Sequence, residues 1–200
     1  MKNYIRFMLI FFFLSVFYSA NISAQIKPKL EYEKLFEQLM KDADNLNKTS
    51  IGKQYTDFIV TDLDNNTIPE QQLLGKVTLL NFWFKECAPC IAEFKYLNNL
   101  YHKYIDNSNF QLISFTSDSA EDTEDTKNTS AKYDIQYTVV PVSLGECQRL
   151  NLDNNFSTNI IIDKTWKIIY LKTGGKVWVD GVKKEISILE EKIKECLLAL

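Results

Sequence analysis

Between Val77 and Phe94 the chain reads VTLLNFWFKECAPCIAEF, and no other stretch limits its possible folds so sharply. Val77–Trp83 is an apolar, β-branched and aromatic run of the length of a buried strand. After Cys87-Ala88-Pro89-Cys90 the apolar residues Ile91, Phe94, Leu97, Leu100, Tyr101 and Tyr104 recur at spacings of three and four, which is the period of a helix. Two cysteines therefore sit where a buried strand hands over to a helix, with Pro89 in the first helical turn. Proline is tolerated there because the N–H it lacks would have no helical partner. The start of a helix carries partial positive charge and unpaired N–H groups, and both favour a thiolate over a thiol. A free thiol titrates near about 8.5, and a helix start or a Cys-X-X-Cys spacing lowers that by one to several units. Cys87 is thus the expected nucleophile, and Cys90, one turn further in and more buried, the expected resolving thiol.

The remaining sequence frames this stretch. Two hundred residues allow one ordinary domain plus a removable or anchoring segment, and a 46% apolar composition is that of a globular chain. A net charge of −3 gives nucleic acid no reason to bind, so that class of partner is set aside. Met1–Ala24 has the layout of a secretory signal: Lys2 and Arg6, the apolar run Phe7–Phe17, then small residues up to Ala24. The apolar run is short for a spanning helix, which needs about 20 residues; the competing reading is an uncleaved anchor over Phe7–Ile26. Either reading takes the domain out of the cytosol, to the periplasm or cell envelope, where cysteines meet an oxidising compartment. Residues 25–50 form a lead-in, with a charged amphipathic helix over Pro28–Lys48 that carries Leu35, Leu39, Ala43 and Leu46 on one side.

From Ile51 to Leu200 strands and helices alternate. Strands are expected at Asp57–Thr61, Val77–Trp83, Gln111–Thr116, Thr138–Ser143, Ser157–Asp163 and Trp166–Lys172. Helices are expected at Ala88–Ile105, Ala120–Tyr133, Glu146–Leu152 and Lys183–Leu198, with Gly174-Gly175 as a break. Such alternation implies an α/β fold, a mixed sheet covered by helices on both faces.

The segment NFWFKECAPCIAEF resembles the active-site segment of thioredoxin-like proteins, above all the periplasmic TlpA/ResA-type thiol-disulfide oxidoreductases of the redoxin/AhpC-TSA-related group. The lead-in of Gly52-Lys53, Asp57-Phe58, Thr61–Asp64 and Gly75-Lys76-Val77 is similar to theirs, as are Phe110–Phe115, Val140-Pro141-Val142 and Ile160–Asp163. The resemblance implies a thioredoxin-like fold over residues 51–200 and a redox-active Cys87–Cys90 disulfide. Cys87 attacks a substrate disulfide, and Cys90 resolves the mixed disulfide. Pro89, Ser157 and Thr158 are the expected substrate-binding residues. No cofactor or metal is implied. The implied partners are disulfide-containing proteins and a membrane or periplasmic redox protein that recycles the dithiol. The CAPC motif is closer to reducing thioredoxins than to strong oxidants.

Three positions depart from the thioredoxin pattern. Ser157 stands where that fold places a cis-proline; a non-proline cis bond costs about 3 kcal/mol, so the expectation here is a trans bond or else a cis bond under strain. Asn81 replaces a buried aspartate that serves the resolving cysteine; an amide cannot ionise, so a proton relay needs another group. Glu86 replaces the tryptophan before the first cysteine. Its carboxylate would oppose a Cys87 thiolate and the neighbouring Lys85 would favour it, both in an exposed loop.

Cys147 and Cys196 complete the four cysteines. The family's topology places them on opposite faces of the sheet, out of reach of a bridge, so both are expected free. His102, the only histidine, lies three turns beyond Cys90 and is expected at the surface. Phe84 stands where peroxiredoxin-type peroxidases carry a threonine, which counts against peroxidase chemistry. The alternative from another class is a non-catalytic protein that holds a soft metal between its two thiolates.

Overall fold

The computed structural model describes residues 47–118 and 123–199, with Lys34, Leu35, Gln38, Lys41 and Asn45 as single helical positions before them. The expected signal at 1–24 lies outside the described residues, as does most of the lead-in helix. The chain divides into two units, Met1–Ala43 and Asp44–Leu200. Among the described residues no helix is long and apolar enough to cross a membrane.

In the second unit, every residue of the strand β3 (Val77–Trp83) is buried, as its unbroken apolar run requires. Its neighbours are β4 (Phe110–Thr116), parallel to it, and β6 (Thr158–Ile162), antiparallel. Beyond them lie β5 (Thr138–Pro141), parallel to β4, and β7 (Ile168–Thr173), antiparallel to β6, giving the order β5-β4-β3-β6-β7. A separate antiparallel ribbon pairs β1 (Ile59–Thr61) with β2 (Thr67–Pro69).

Alternation along the strands divides the core between the two faces of this sheet. On one face Val77, Leu79, Leu112 and Ile161 pack against Leu97 and Leu100 of helix α1 (Ala88–Tyr104) and Val182, Ile186, Leu189 and Ile193 of helix α4 (Val179–Leu198). On the other, Leu80, Phe82, Ile113, Phe115 and Ile160 meet Cys147 and Leu150 of helix α3 (Leu144–Leu150), together with Tyr55, Phe58 and Trp166. Tyr55 Oη donates to the Leu150 carbonyl at 2.5 Å, which ties the segment before β1 to α3. Helix α2 (Thr123–Lys132) is exposed except at Thr126 and Ser130. A mixed sheet with helices on both faces is what the alternation implied, and the strand order agrees with the thioredoxin-like fold that the resemblance implied. Helix α3 starts two residues earlier than expected because Ser143 caps it, its hydroxyl accepting from the Glu146 N–H at 3.2 Å.

Candidate active site

Because β6 runs antiparallel to β3, its first residue lies beside the end of β3, with Thr158 opposite Phe82. The loop before β6 is thereby brought to the start of α1, where the two cysteines are.

Cys87 is the N-cap of α1 and Pro89 occupies its first turn. Cys87 and Cys90 form a disulfide with Cα atoms 5.3 Å apart. The Cys90 N–H points at Cys87 Sγ at 3.3 Å, an orphan helix donor aimed at the sulfur that would carry charge once reduced. Both cysteines are buried, Cys90 fully and Cys87 at 4% exposure, so Cys87 is the one nearer solvent. Cys90 Sγ lies 3.9 Å from the Phe82 carbonyl oxygen. Trp83, Phe94 and Val139 enclose the pair, with the Trp83 and Phe94 rings edge to face at 5.2 Å.

Asn81 cannot ionise, and the structure supplies a carboxylate from elsewhere. Glu93, three residues beyond Cys90 and on the same side of α1, is only 2% exposed. Its Oε2 accepts from Ser157 Oγ at 2.7 Å and from Asn159 Nδ2 at 3.1 Å. Asn81 Nδ2 donates in turn to Asn159 Oδ1 at 3.0 Å, and Ser114 Oγ donates to Asn81 Oδ1 at 3.3 Å. Asn81 is thus one link in a buried chain of side chains that ends on Glu93. Burial pushes the Glu93 carboxyl up to about 7, against the pull of the Ser157 and Asn159 hydrogen bonds. Sequence reasoning missed Glu93. The available signal was its place beside Cys90, Phe94 and Leu97 on the inward stripe of α1, where a solvated glutamate does not belong.

Of the two alternatives at Ser157, the cis one holds: the Phe156–Ser157 peptide is cis. Contacts invisible in the dipeptide fix the segment. The Ser157 hydroxyl is held by Glu93, its carbonyl accepts from the Gly174 N–H at 2.7 Å, and Phe156 packs edge to face on Phe84 at 5.1 Å. Thr158 is fully buried, with its hydroxyl between Asn155 O and Thr173 Oγ1. Pro89 is half-buried at the rim. Gly175, which the sequence marks only as part of a break, closes the other side. A Cβ there would lie 2.8 Å from Glu93 Oε1 and 3.0 Å from Pro89 Cβ, so only glycine lets this loop approach so near.

The charges flanking Cys87 are directed away from it. Lys85 Nζ pairs with Asp125 at 2.6 Å and its backbone N–H donates to Asp118 at 2.7 Å, while Glu86 is exposed. Cys147 and Cys196 are free, packed on opposite faces of the sheet as expected. Burial pushes the Cys147 thiol up to about 12, far from reactivity at neutral pH. His102 is exposed and bonds Gln136.

A model of the AhpC/TSA family matches residues 51–170. The thiol-disulfide oxidoreductase ResA of Bacillus thuringiensis subsp. konkukian is 34% identical over 122 residues, covering 61% of this chain and 69% of that one. The ResA protein of Bacillus anthracis is 31% identical over 145 residues, covering 70% and 80%. Among solved structures, one described as a DsbE-type thiol:disulfide interchange protein from Chlorobium tepidum has a TM-score of 0.64 at 24% identity, covering 74% of this chain and 97% of that one. At that identity the likeness speaks for the fold. The chain belongs to the AhpC/TSA family and is a thioredoxin-fold thiol-disulfide oxidoreductase of the ResA type.

Proposed function

We propose that this chain is an exported reductase of protein disulfides. Residues 1–24 serve as its signal segment, 25–50 as a helical lead-in and 51–200 as the redox domain. In the reduced state Cys87 is the thiolate, stabilised by the α1 N-terminus and the Cys90 N–H. It attacks one sulfur of a substrate disulfide, forms a mixed disulfide and expels the other sulfur as a thiolate. The Cys90 thiol gives its proton to the Glu93 carboxylate and attacks Cys87 Sγ. The Cys87–substrate bond breaks, the second substrate thiolate leaves, and the Cys87–Cys90 disulfide remains. A second redox protein returns two electrons to it.

The observation that carries this reading is Glu93, a buried carboxylate one helical turn from Cys90 with its proton affinity raised into the neutral range. A base is most effective when its pKa lies near the working pH. Pro89 and Ser157 form the wall against which the substrate lies, and Thr158 holds Ser157 in place. The exposed run Val177, Trp178 and Val179 follows closely on Gly175 and supplies apolar area for an unfolded client.

The test is the reduction potential of the Cys87–Cys90 pair, measured on residues 25–200 by equilibration with a dithiol buffer. Trp83, packed in the cluster that encloses the pair, is the fluorescent reporter. A potential near about −270 mV is expected of a reductase. A value near about −120 mV would make the protein an oxidant instead. A couple seen only after bound metal has been stripped would replace the enzyme with a metal-binding protein.

A further inference from the structure

Beside Glu93 lies a cavity of about 10 Å³. Its inner wall is Glu93 and Asn159, and its outer wall is Tyr170 and Lys172 of β7 with Glu185 and Leu189 of α4. The placement follows from the two periodicities. Residues two apart on β7 share a face, and residues four apart on α4 stand one above the other. Tyr170, Lys172 and Glu185 are each partly exposed, whereas Glu93 is buried. The cavity therefore sets the buried carboxylate alongside polar groups that reach solvent. About 10 Å³ is at the threshold of what one water needs, and a water there would find the two to four polar partners that hold buried water in proteins.

We propose that a water in this cavity, with Glu185 at its outer wall, carries the proton of Glu93 to solvent after each turnover. The inference rests on the reading of Glu93 as the acceptor of the Cys90 proton. Once Cys90 has closed the disulfide, Glu93 is a neutral carboxylic acid and must be emptied before the next cycle. Its proton passes to the water, the water passes one of its own to the Glu185 carboxylate, and Glu185 releases it to bulk; no electrons move. When the disulfide is reduced again by two electrons, one proton returns from solvent to the Cys90 sulfur and Cys87 is left as the thiolate. Glu185 is a positioning residue for this path, since it touches neither sulfur.

The charged and titratable groups around Glu93 agree with the direction of the path. From the loop before β6 it meets Ser157 and from β6 Asn159, the cavity adds Tyr170 and Lys172 of β7 and Glu185 of α4, and Tyr137, just before β5, lies within electrostatic reach. Burial, then Glu185 and Glu93, push the Tyr170 hydroxyl up to about 12, so it stays protonated and can donate to the water. Burial also raises Glu185, with Lys176 and Lys172 opposing, which brings its proton affinity toward that of Glu93. Tyr137 is buried without a partner for its hydroxyl and does not border the cavity.

The experiment follows sulfur and proton separately in one turnover. Reduced full-domain protein on a Cys196→Ser background is mixed with dithiobis(nitrobenzoate) in weak buffer near pH 8. That pH lies above the value of about 7 to which burial raises Glu93. The second equivalent of coloured thiolate marks the resolving step, and an indicator dye marks proton release. In the wild type the two coincide. In Glu185→Gln the thiolate is expected at the wild-type rate while proton release lags by about 10²-fold, the lower end of what a placed proton acceptor is worth. Glu185→Asp restores most of the coincidence, and Tyr137→Phe leaves it intact. Proton release that keeps pace with thiolate in both Glu185→Gln and Tyr170→Phe would overturn the path. If Glu93→Gln forms the second thiolate at the wild-type rate, the role of Glu93 itself is wrong, and the path falls with it.

Discussion

Ser157 Oγ donates a 2.7 Å hydrogen bond to Glu93 Oε2, joining the loop before β6 to the helix that carries both redox cysteines. The bond spans 64 positions of sequence and holds a buried carboxylate one helical turn beyond Cys90. Its consequences can be measured.

The first concerns stability and pH. Folding raises the Glu93 carboxyl from its ordinary 4.5 to about 7, so the native state holds this proton more tightly than the unfolded chain. The contribution is full below about pH 4.5 and is lost as pH rises through 7. Its size is on the order of 3 kcal/mol. Glu93→Gln should therefore be more stable than the wild type at pH 8 and should lose this part of the pH dependence. Urea midpoints of the oxidised proteins at pH 5 and pH 8 would show it; parallel midpoints in both variants would refute it.

Removal of the Ser157 hydroxyl acts in the opposite sense on the charged form. Ser157→Ala should raise the Glu93 pKa further and cost about 1.5–3 kcal/mol at pH 8, where the lost bond goes to a carboxylate. The cost should shrink at pH 5. Infrared titration of the Glu93 carbonyl band gives the pKa directly, and an unmoved titration would mean that the bond is not made in solution.

Cys147 and Cys196 should behave differently toward alkylation. In the oxidised native protein a short pulse of iodoacetamide should label Cys196, which is partly exposed, and spare Cys147, which is fully buried with its thiol pushed up to about 12. After unfolding both should react. Peptide mass mapping distinguishes the two, and labelling of Cys147 in the native state would contradict the packing of α3.

Gly175→Ala should destabilise the oxidised protein by about 1–3 kcal/mol, the usual cost of an added methyl in a packed place. The new Cβ would press on Glu93 Oε1, which two hydrogen bonds to Oε2 leave little room to yield. The same change at Gly145, where nothing lies within 4 Å, is the control. Equal effects at the two positions would rule out the close approach.

Much of this architecture could be read from the residues because single elements carry period and boundary together. The bounds of β3 follow from its apolar run between Lys76 and the polar loop Lys85-Glu86, and α1 from Pro89 and the inward stripe. The places that could not be read are those where a distant contact overrides a local signal. From the sequence, α4 is expected from Lys183, after the Gly174-Gly175 break. The helix instead begins at Val179, because the Trp178 indole folds over Gly181, where a Cβ would meet it at 2.4 Å. Strand β2 contains Pro69 and only three residues, a pattern that reads as loop until Thr61 is seen to pair with Thr67. Glu93 was overlooked because its partners, Ser157 and Asn159, lie on another element far along the chain.

The pairing of Thr158 with Phe82 has a bearing on how such a chain can diversify. The sulfurs sit at the end of one strand and their facing loop at the start of another, and register alone brings the two together. Residues 123–157, which lead back to β6 by way of α2, β5 and α3, supply the facing loop only with their last two residues. Insertions or a recoloured surface on the outer face of α2 leave the register of Thr158 against Phe82 untouched. The register that faces this loop to the sulfurs is set by β3 and β6 alone, so that part of the surface can change without moving them.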